Sequence, residues 1–167
     1  MPAPAPCRLQ DRVAIVTSGA GSVGAAIVRV FDAEGARVVI ADVQDHRGRA
    51  LARSLCGARG EAVVAAPVVY RHVDVSREAD VMAMVELALE HFGRLDVLVN
   101  HAGFYGPAGS IVTLDASGLD ATLAVLLRGV FLGIKHAMPV MKRQGGGSII
   151  STAGVAGLRT GLGPVRQ

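Results

Sequence analysis

The sequence predicts an α/β fold built on a doubly wound parallel sheet, and three observations favour it. Short apolar runs rich in β-branched residues alternate with longer segments in which apolar residues recur every three or four positions. Aromatic residues make up only 4% of the 167 residues, so the core must consist of Ala, Val, Leu and Ile. The 21 glycines show no collagen repeat and suit closely packed helices and strands. Because 51% of the residues are apolar and the net charge is +3, the composition excludes an intrinsically disordered chain.

Five strands are predicted from short apolar runs that are bounded by turn residues or by the start of a helical pattern. Since a helical segment separates each strand from the next, the strands must run parallel and be joined by right-handed crossovers. The predicted strands span residues 12–17, 37–41, 68–73, 95–100 and 148–151. In such a sheet, ligands bind outside the carboxyl ends of the strands.

Four helices are predicted between these strands. The first begins at Ser22 and ends before Gly35, the second spans residues 44–58, and the third follows an N-cap at Ser76 and ends at Gly93. The fourth is long, and Pro139 is expected to kink its end. The stripes expected to face the core are Val23, Ala26, Ile27, Val30 and Phe31 in the first helix, Val81, Met84, Val85, Ala88, Leu89 and Phe92 in the third, and Leu123, Leu126, Leu127, Val130, Phe131, Ile134, Met138 and Met141 in the fourth.

The sequence predicts a short tail rich in Pro and Ala at residues 1–10 and one domain at residues 11–167. The tail has no apolar centre of the kind that a signal peptide needs, and the uncharged runs are shorter than 18 residues, so no membrane helix is predicted. Cys7 and Cys56 lack metal or redox spacing and are expected to be free thiols. A cytoplasmic location is therefore expected.

The charge distribution is uneven, because no acidic residue follows Asp120 whereas six basic residues do. A basic surface of this kind is one expectation for a protein that binds nucleic acid. However, no aromatic residues alternate with these cations to stack on bases, so solvated surface charges are favoured and no nucleic-acid partner is predicted.

The chemistry-bearing motif is the glycine loop at residues 19–24, which reads G-x-G-x-x-G between a predicted strand and a predicted helix. Glycine lets the backbone turn tightly and approach a pyrophosphate, and the helix N-terminus offers free N–H groups and partial positive charge. Asp42 ends the next strand, where its carboxylate can accept hydrogen bonds from the adenosine ribose and repel a 2′-phosphate. No Arg or Lys lies in the loop or directly after Asp42, so NAD(H) is predicted rather than NADP(H).

A rival interpretation makes Ser22 the nucleophile of a strand-to-helix elbow of the hydrolase type. In those enzymes the elbow follows several strands, and an acid and a His come later in the chain. Here the loop follows the first predicted strand, and no Asp and His fall at later strand ends in that order. The sequence therefore favours a dinucleotide site.

With these motifs in place, the chain resembles the short-chain dehydrogenase/reductase family from about residue 9 to residue 164, most of all its plant NAD-dependent branch of xanthoxin, secoisolariciresinol and momilactone-type dehydrogenases. The segments that carry the resemblance are TSGAGSVG at 17–24, Asp42, Asp74-Val75, LDVLVNHAG at 95–103, RGVFLG at 128–133 and GSIISTAGVAG at 147–157. The resemblance implies a Rossmann-type fold that is incomplete after the fifth strand, and a C-terminally truncated chain.

The resemblance also implies where the cofactor is held. Asp74 and Val75 are expected near the adenine, and Asn100, Ala102 and Gly103 on the ribose side. The candidate cofactor-binding residues are Ser18, Gly19, Gly21, Ser22, Val23, Gly24, Asp42, Asp74, Val75, Asn100, Ala102 and Gly103.

Two departures from the family pattern lie within this cofactor half. Ser18 and Ser22 replace the first two glycines of T-G-x-x-x-G-x-G, and Ser18 is expected to crowd the turn because a Cβ disfavours positive φ. His101 stands where the family has the second Asn of N-N-A-G. It is either a proton carrier or, as the favoured interpretation, a tolerated structural substitution.

The departures in the catalytic half are more severe. The family uses a Tyr and a Lys four residues later for proton exchange, a Ser to hold the substrate oxygen, and an Asn on the long helix. Here Leu126 stands at the Asn position, Gly154 at the Ser position and Gln167 at the Tyr position, and no Y-x-x-x-K motif is present. Ser151 and Thr152 are hydroxyls that precede the Ser position and would need a register shift. No catalytic residue is therefore assigned.

Two functions remain open at this stage. One is an NAD-dependent oxidoreductase of the family that is inactive by itself because its catalytic residues are replaced or absent. The other is a non-enzymatic NAD-binding pseudoenzyme, or a partner subunit of an intact relative. A homo-oligomer or an association with such a relative is expected, because an uncovered apolar sheet edge after the fifth strand is a template for pairing.

Overall fold

The computed structural model describes residues 7–57, 67–107, 109–110 and 112–154. Its centre is a five-stranded sheet with the strand order β3-β2-β1-β4-β5, in which every pair is parallel. The strands are β1 (Val13–Thr17), β2 (Arg37–Asp42), β3 (Val68–His72), β4 (Val97–Asn100) and β5 (Ser148–Ser151). The predicted doubly wound parallel sheet is thus confirmed.

Helices cover both faces of this sheet. They are α1 (Ser22–Ala33), α2 (Asp45–Gly57), α3 (Glu78–Phe92), α4 (Ala116–Leu123) and α5 (Gly129–Arg143), and a π-helical turn, Ala124–Arg128, joins the last two. One core cluster lies between the sheet and α1 with α2, and the other lies between the sheet and α3 with α5. The central strand β1 is buried on both faces, as its unbroken apolar run predicts.

The helix boundaries follow predicted signals with one exception. Gly35 and Gly93 both adopt positive φ directly after or at the end of α1 and α3, as helix-stopping glycines do. Ser76 is not the N-cap of α3, because the helix begins two residues later with Arg77 as its N-cap. The Ser76 hydroxyl instead donates to Asp74 Oδ1 at 2.7 Å.

The predicted core stripe is confirmed for α3 but only in part for the first and the last helix, where Ile27, Phe31 and Met141 are the stripe residues that pack in or against the core. In α1, Val23 and Val30 are more than half exposed, and the buried residues are Gly24, Val28 and Asp32. In the long helix, the large apolar side chains predicted to be buried are mostly exposed: Leu123, Leu126, Leu127, Phe131 and Met138. The buried face of α5 consists of Gly129, Leu132, Gly133, Ala137, Val140 and Met141.

Glycine explains why the smaller face of α5 is the buried one. A Cβ on Gly133 would lie 2.5 Å from Asn100 Oδ1, and a Cβ on Gly129 would lie 2.9 Å from Val75 Cγ2. The helix therefore approaches β4 and the segment after β3 at distances that exclude any side chain. Close backbone approach, rather than the number of large apolar residues, sets which face points inward.

The amino edge of the sheet is closed by one buried carboxylate, Asp96, which is 5% exposed. Arg94 donates to both of its oxygens at 2.7 Å, and Arg12 donates to Oδ1 at 3.0 Å. The backbone N–H of Val13 donates to Oδ2 at 3.0 Å. Asp96 thus ties the start of β1 to the start of β4, on the edge opposite to the candidate site.

The helical stretch 116–143 also meets a length and composition criterion for crossing a membrane, with a mean hydropathy of 1.5 in its most apolar window. No membrane helix was predicted because no uncharged run reaches 18 residues. The stretch 116–143 is interrupted by the charged residues Asp120, Arg128 and Lys135. Core helices meet the same criterion, and α5 packs on α3 and β4. Only 17% of the window is buried, so an apolar face of this helix lies open.

Candidate functional site

The predicted cofactor residues lie along the carboxyl edge of the sheet, after β1, β2, β3 and β4. The glycine loop follows β1, Asp42 ends β2, Asp74 and Val75 follow β3, and Asn100 ends β4. Because these strands are parallel neighbours, the topology brings together segments that are far apart in the sequence.

The glycine loop packs so tightly that two of its glycines have no room for a side chain. A Cβ on Gly24 would lie 2.0 Å from the carbonyl oxygen of Ser18, and a Cβ on Gly19 would lie 2.8 Å from that of Val16. Ser18 itself adopts φ +52°, a left-handed conformation that a Cβ disfavours, as expected for a serine at this turn. The turn therefore places a serine in a conformation that glycine adopts more readily.

The first turn of α1 presents donors at this loop. Gly21 is the N-cap of α1 and supplies no side-chain acceptor to the helix. The first N–H groups of a helix have no partner within it, so those of Ser22, Val23 and Gly24 are available to an anion. This donor set fits the pyrophosphate of a dinucleotide.

Asp42 connects the end of β2 to the same loop. Its Oδ2 accepts from the Ala20 N–H at 2.9 Å and its Oδ1 accepts from the Gln44 N–H at 2.9 Å. The side chain is almost entirely buried, and each carboxylate oxygen retains a second lone pair. Asp42 is thus oriented by two backbone donors and can still accept hydrogen bonds from ribose hydroxyls.

Thr17 is a site residue that sequence analysis did not single out. Its buried hydroxyl accepts from the N–H groups of His101 and Ala102, both at 2.9 Å, and lies 3.2 Å from the Val99 carbonyl oxygen, to which it donates. One side chain at the end of β1 therefore holds the turn after β4 in place. The available signal was a hydroxyl at the last position of a run that is otherwise apolar.

Replacing Thr17 with Val is expected to lower the free energy of unfolding by about 2 kcal/mol, because two buried N–H groups and a carbonyl lose their partner. Urea unfolding followed by circular dichroism measures the change. Thr17→Ser keeps the hydroxyl and is expected to retain most of the stability. A loss in Thr17→Ser as large as that in Thr17→Val would contradict a dominant role of the hydroxyl, because serine keeps it.

The segment after β4 joins the site to the long helix. Asn100 is buried beside Gly133, and its Nδ2 donates to Ser151 Oγ at 3.4 Å. A Cβ on Gly103 would lie 3.1 Å from Leu126 Cδ2 in the π-helical turn. Leu126, at the position where the family carries its Asn, is thus an apolar side chain that lies against Gly103.

His101 and Asp74 are each engaged by neighbouring polar groups. His101 Nδ1 lies 3.0 Å from Thr152 Oγ1, which joins the segments after β4 and β5. Asp74 Oδ1 accepts from both the N–H and the hydroxyl of Ser76, at 2.9 and 2.7 Å. The His101 contact fits both a proton carrier and a structural substitution, so both interpretations stay open.

Among the residues that the structure describes, no catalytic side chain stands at the family's positions. Leu126 is apolar, and Gly154 is exposed and has no atom within 4 Å of its notional Cβ. Gln167 lies outside the described residues. Ser151 and Thr152 are the hydroxyls that do stand at the end of β5, and both contact residues of the β4 end.

Comparisons with known proteins agree with this geometry. A family model described as enoyl-(acyl carrier protein) reductase matches residues 19–163. The chain is 44% identical over 157 residues to the short-chain dehydrogenase reductase ATA1 of Arabidopsis thaliana, covering 93% of this chain and 54% of that protein. It is 40% identical to xanthoxin dehydrogenase of the same plant over 158 residues, covering 94% of this chain and 54% of that protein.

A solved structure gives the same result for the fold. The crystal structure of levodione reductase superposes with a TM-score of 0.84 at 34% identity, covering 94% of this chain and 59% of that one. The chain therefore spans about half the length of the curated relatives that it matches. The extent of the family match, together with the glycine loop and the parallel sheet, shows that the chain belongs to the short-chain dehydrogenase/reductase family.

Proposed function

We propose that this chain binds NAD(H) and corresponds to the cofactor-binding part of a short-chain dehydrogenase/reductase. The reaction of this family is hydride transfer between a nicotinamide cofactor and a substrate. The observation that carries the proposal is the Asp42 carboxylate, held 2.9 Å from the Ala20 N–H of the glycine loop. This contact sets a ribose acceptor beside the donor-rich first turn of α1. A carboxylate at this position favours NAD(H) over NADP(H), because it repels a 2′-phosphate.

Titration calorimetry of the purified chain with NADH tests the proposal. We expect binding with one site per chain and a loss of at least about tenfold in affinity for Asp42→Ala, since ribose hydroxyls lose a charged acceptor. The control is Glu86→Gln, which removes one acidic charge from an exposed position of α3. A folded chain that does not bind NADH would contradict the proposal.

We propose further that the chain by itself performs no hydride transfer. Support comes from Leu126 and Gly154, which offer no hydrogen-bonding side chain where proton relay and substrate orientation need one. NADH absorbance with secondary alcohols and ketones as substrates measures the activity. Turnover above background would overturn this part and would favour an active oxidoreductase over a pseudoenzyme or a partner subunit. A cytoplasmic location remains part of the proposal.

For the partner, we propose a second copy of the chain bound at the open groove of the long helix. Leu127 and Phe131 are 64% and 60% exposed and line this groove with Leu123 and Ala124. Asp120 and Arg128 border it and lie eight residues apart, about 12 Å along a helix. Antiparallel pairing about a two-fold axis near Ala124 would set each Asp120 opposite the Arg128 of the other copy, so the groove is complementary to itself.

Sedimentation velocity tests this pairing, and a dimer is expected. Leu127→Glu is expected to give monomers because it buries charge in the apolar centre, whereas Met82→Glu, at an exposed position of α3, should leave the dimer intact. Asp120→Arg should weaken association, and adding Arg128→Asp should restore it. A wild-type chain that stays monomeric at every concentration would refute the pairing.

A further inference from the structure

A network beyond Asp42 converges on Asp45, the first residue of α2. Asp45 Oδ1 lies 2.6 Å from His72 Nδ1 and 2.7 Å from the Tyr70 hydroxyl. Its Oδ2 lies 3.8 Å from the guanidinium of Arg49. The Tyr70 hydroxyl and the His72 ring keep the pKa of Asp45 below its usual range, so this carboxylate is charged at neutral pH.

The sheet register places this network beside the proposed ribose site. Asp42 on β2 is paired with His72 on β3, so their side chains leave the same face of the sheet on adjacent strands. The Tyr70 hydroxyl lies 2.7 Å from the Asp42 carbonyl oxygen and 2.7 Å from Asp45 Oδ1, so it bridges Asp42 and Asp45. Asp42 is therefore bordered by the glycine loop on one side and by Asp45 with His72 on the other.

Three basic side chains of this region contact other groups. His72 lies 2.6 Å from Asp45, and Arg49 lies 5.8 Å from the centre of the Tyr70 ring, in a cation–π contact. Arg47 bonds the side chain of Gln44 at 3.1 Å. Of these three, His72 shares the face and the register of Asp42, beside which a phosphate on the ribose would lie.

We propose that Asp45 is a second determinant of cofactor choice, acting through His72. By pairing with His72 it withholds the cation that would otherwise neutralise a ribose 2′-phosphate, and it adds a negative charge of its own. A 2′-phosphate carries a charge of about −1.5 to −2, so both effects weaken NADP(H) and leave the uncharged ribose of NAD(H) unaffected. This inference rests on the proposed binding of NAD(H) at Asp42.

The experiment is calorimetry with NAD⁺ and NADP⁺ at low salt, where electrostatic effects are least screened. We expect Asp45→Asn to bind NADP⁺ about tenfold more tightly, while its affinity for NAD⁺ stays within about twofold. Asp45→Asn combined with His72→Gln should return most of the way to the wild-type preference. Asp45→Glu and Glu86→Gln are the matched controls, and both should keep it.

Each contrary outcome is distinguishable. A chain that binds neither dinucleotide overturns the proposed function and this inference with it. A chain that binds NAD⁺, but whose preference shifts no more in Asp45→Asn than in Glu86→Gln, overturns this inference alone. A double variant as tolerant of NADP⁺ as Asp45→Asn also overturns it, because His72 is the cation that the proposal releases. Thermal melting of each variant shows that the fold is retained.

Discussion

Replacing Asp96 with Asn is expected to lower the free energy of unfolding by about 3 kcal/mol, because it removes the charge from a buried carboxylate that accepts four hydrogen bonds. An amide offers one acceptor oxygen and turns its NH₂ group toward donors. The guanidinium groups of Arg94 and Arg12 then lose the carboxylate that they share at the start of β1 and β4. Urea unfolding followed by circular dichroism measures the loss.

The pH dependence of stability provides a second measurement on Asp96. Burial raises the pKa of this carboxyl, but the hydrogen bonds from Arg94, Val13 and Arg12 outweigh it, and the net pKa is lowered. A lowered folded pKa means that the stabilisation is complete above the unfolded value of about 3.9 and is lost as the pH falls through the folded pKa. The urea concentration at the wild-type unfolding midpoint should therefore decrease when the pH falls below about 4. The Asn variant should lack the part of this decrease that comes from Asp96.

Glu34 provides the matched control, since its carboxylate also bonds an arginine, Arg8 at 2.8 Å, but at an exposed site. Glu34→Gln is expected to leave the urea midpoint close to that of the wild type, because exposed ion pairs contribute little. Equal effects of the two substitutions would contradict a special role for the buried carboxylate at the amino edge.

Replacing Gly24 with Ala is expected to abolish most of the NADH affinity, with a loss of more than about tenfold, and to destabilise the chain by about 1–3 kcal/mol. The new Cβ would lie 2.0 Å from the Ser18 carbonyl oxygen and 2.9 Å from Gly19 Cα, and both are backbone atoms. The loop cannot relieve this overlap by a side-chain rotation. It must move away from the first turn of α1, where the proposed pyrophosphate site lies.

The control for Gly24 lies outside the site. A Cβ on Gly57, the last residue of α2, would have no atom within 4 Å, so Gly57→Ala needs no shift of the structure. Calorimetry with NADH, together with urea unfolding, compares the two variants. A Gly24→Ala chain that binds NADH as tightly as Gly57→Ala would show that the loop geometry is not what holds the cofactor.

The sequence was most informative where structure is local. The runs rich in β-branched residues at 12–17 and 37–41 predicted two central strands, and the glycine pattern between a strand and a helix predicted the tight loop. Gly35 and Gly93 marked helix ends because positive φ is a property of the single residue. The expected conformational cost of a serine at position 18 was visible for the same reason.

The faces of α1 and of the long helical stretch 116–143 were mispredicted in part, because burial depends on what a helix packs against. Most large apolar residues of the stripe predicted for this stretch are exposed, so the hydrophobic pattern alone selected the wrong face. The buried side of α5 is set by Gly129 and Gly133, which let the helix approach Val75 and Asn100. A glycine adds almost nothing to a hydrophobic stripe, although it permits the closest packing.

The sequence by itself therefore determined the parallel α/β sheet, the glycine loop, the acid after β2 and the absence of a polar side chain at Leu126, because each depends on residue type and spacing along the chain. Only the tertiary structure decided that Thr17 holds the turn after β4, that Asp45 pairs with His72 beside Asp42, and that the leucine-rich face of the long helix is open. These features join residues distant in sequence, and the sheet register and the closeness of helix packing determine which of them meet.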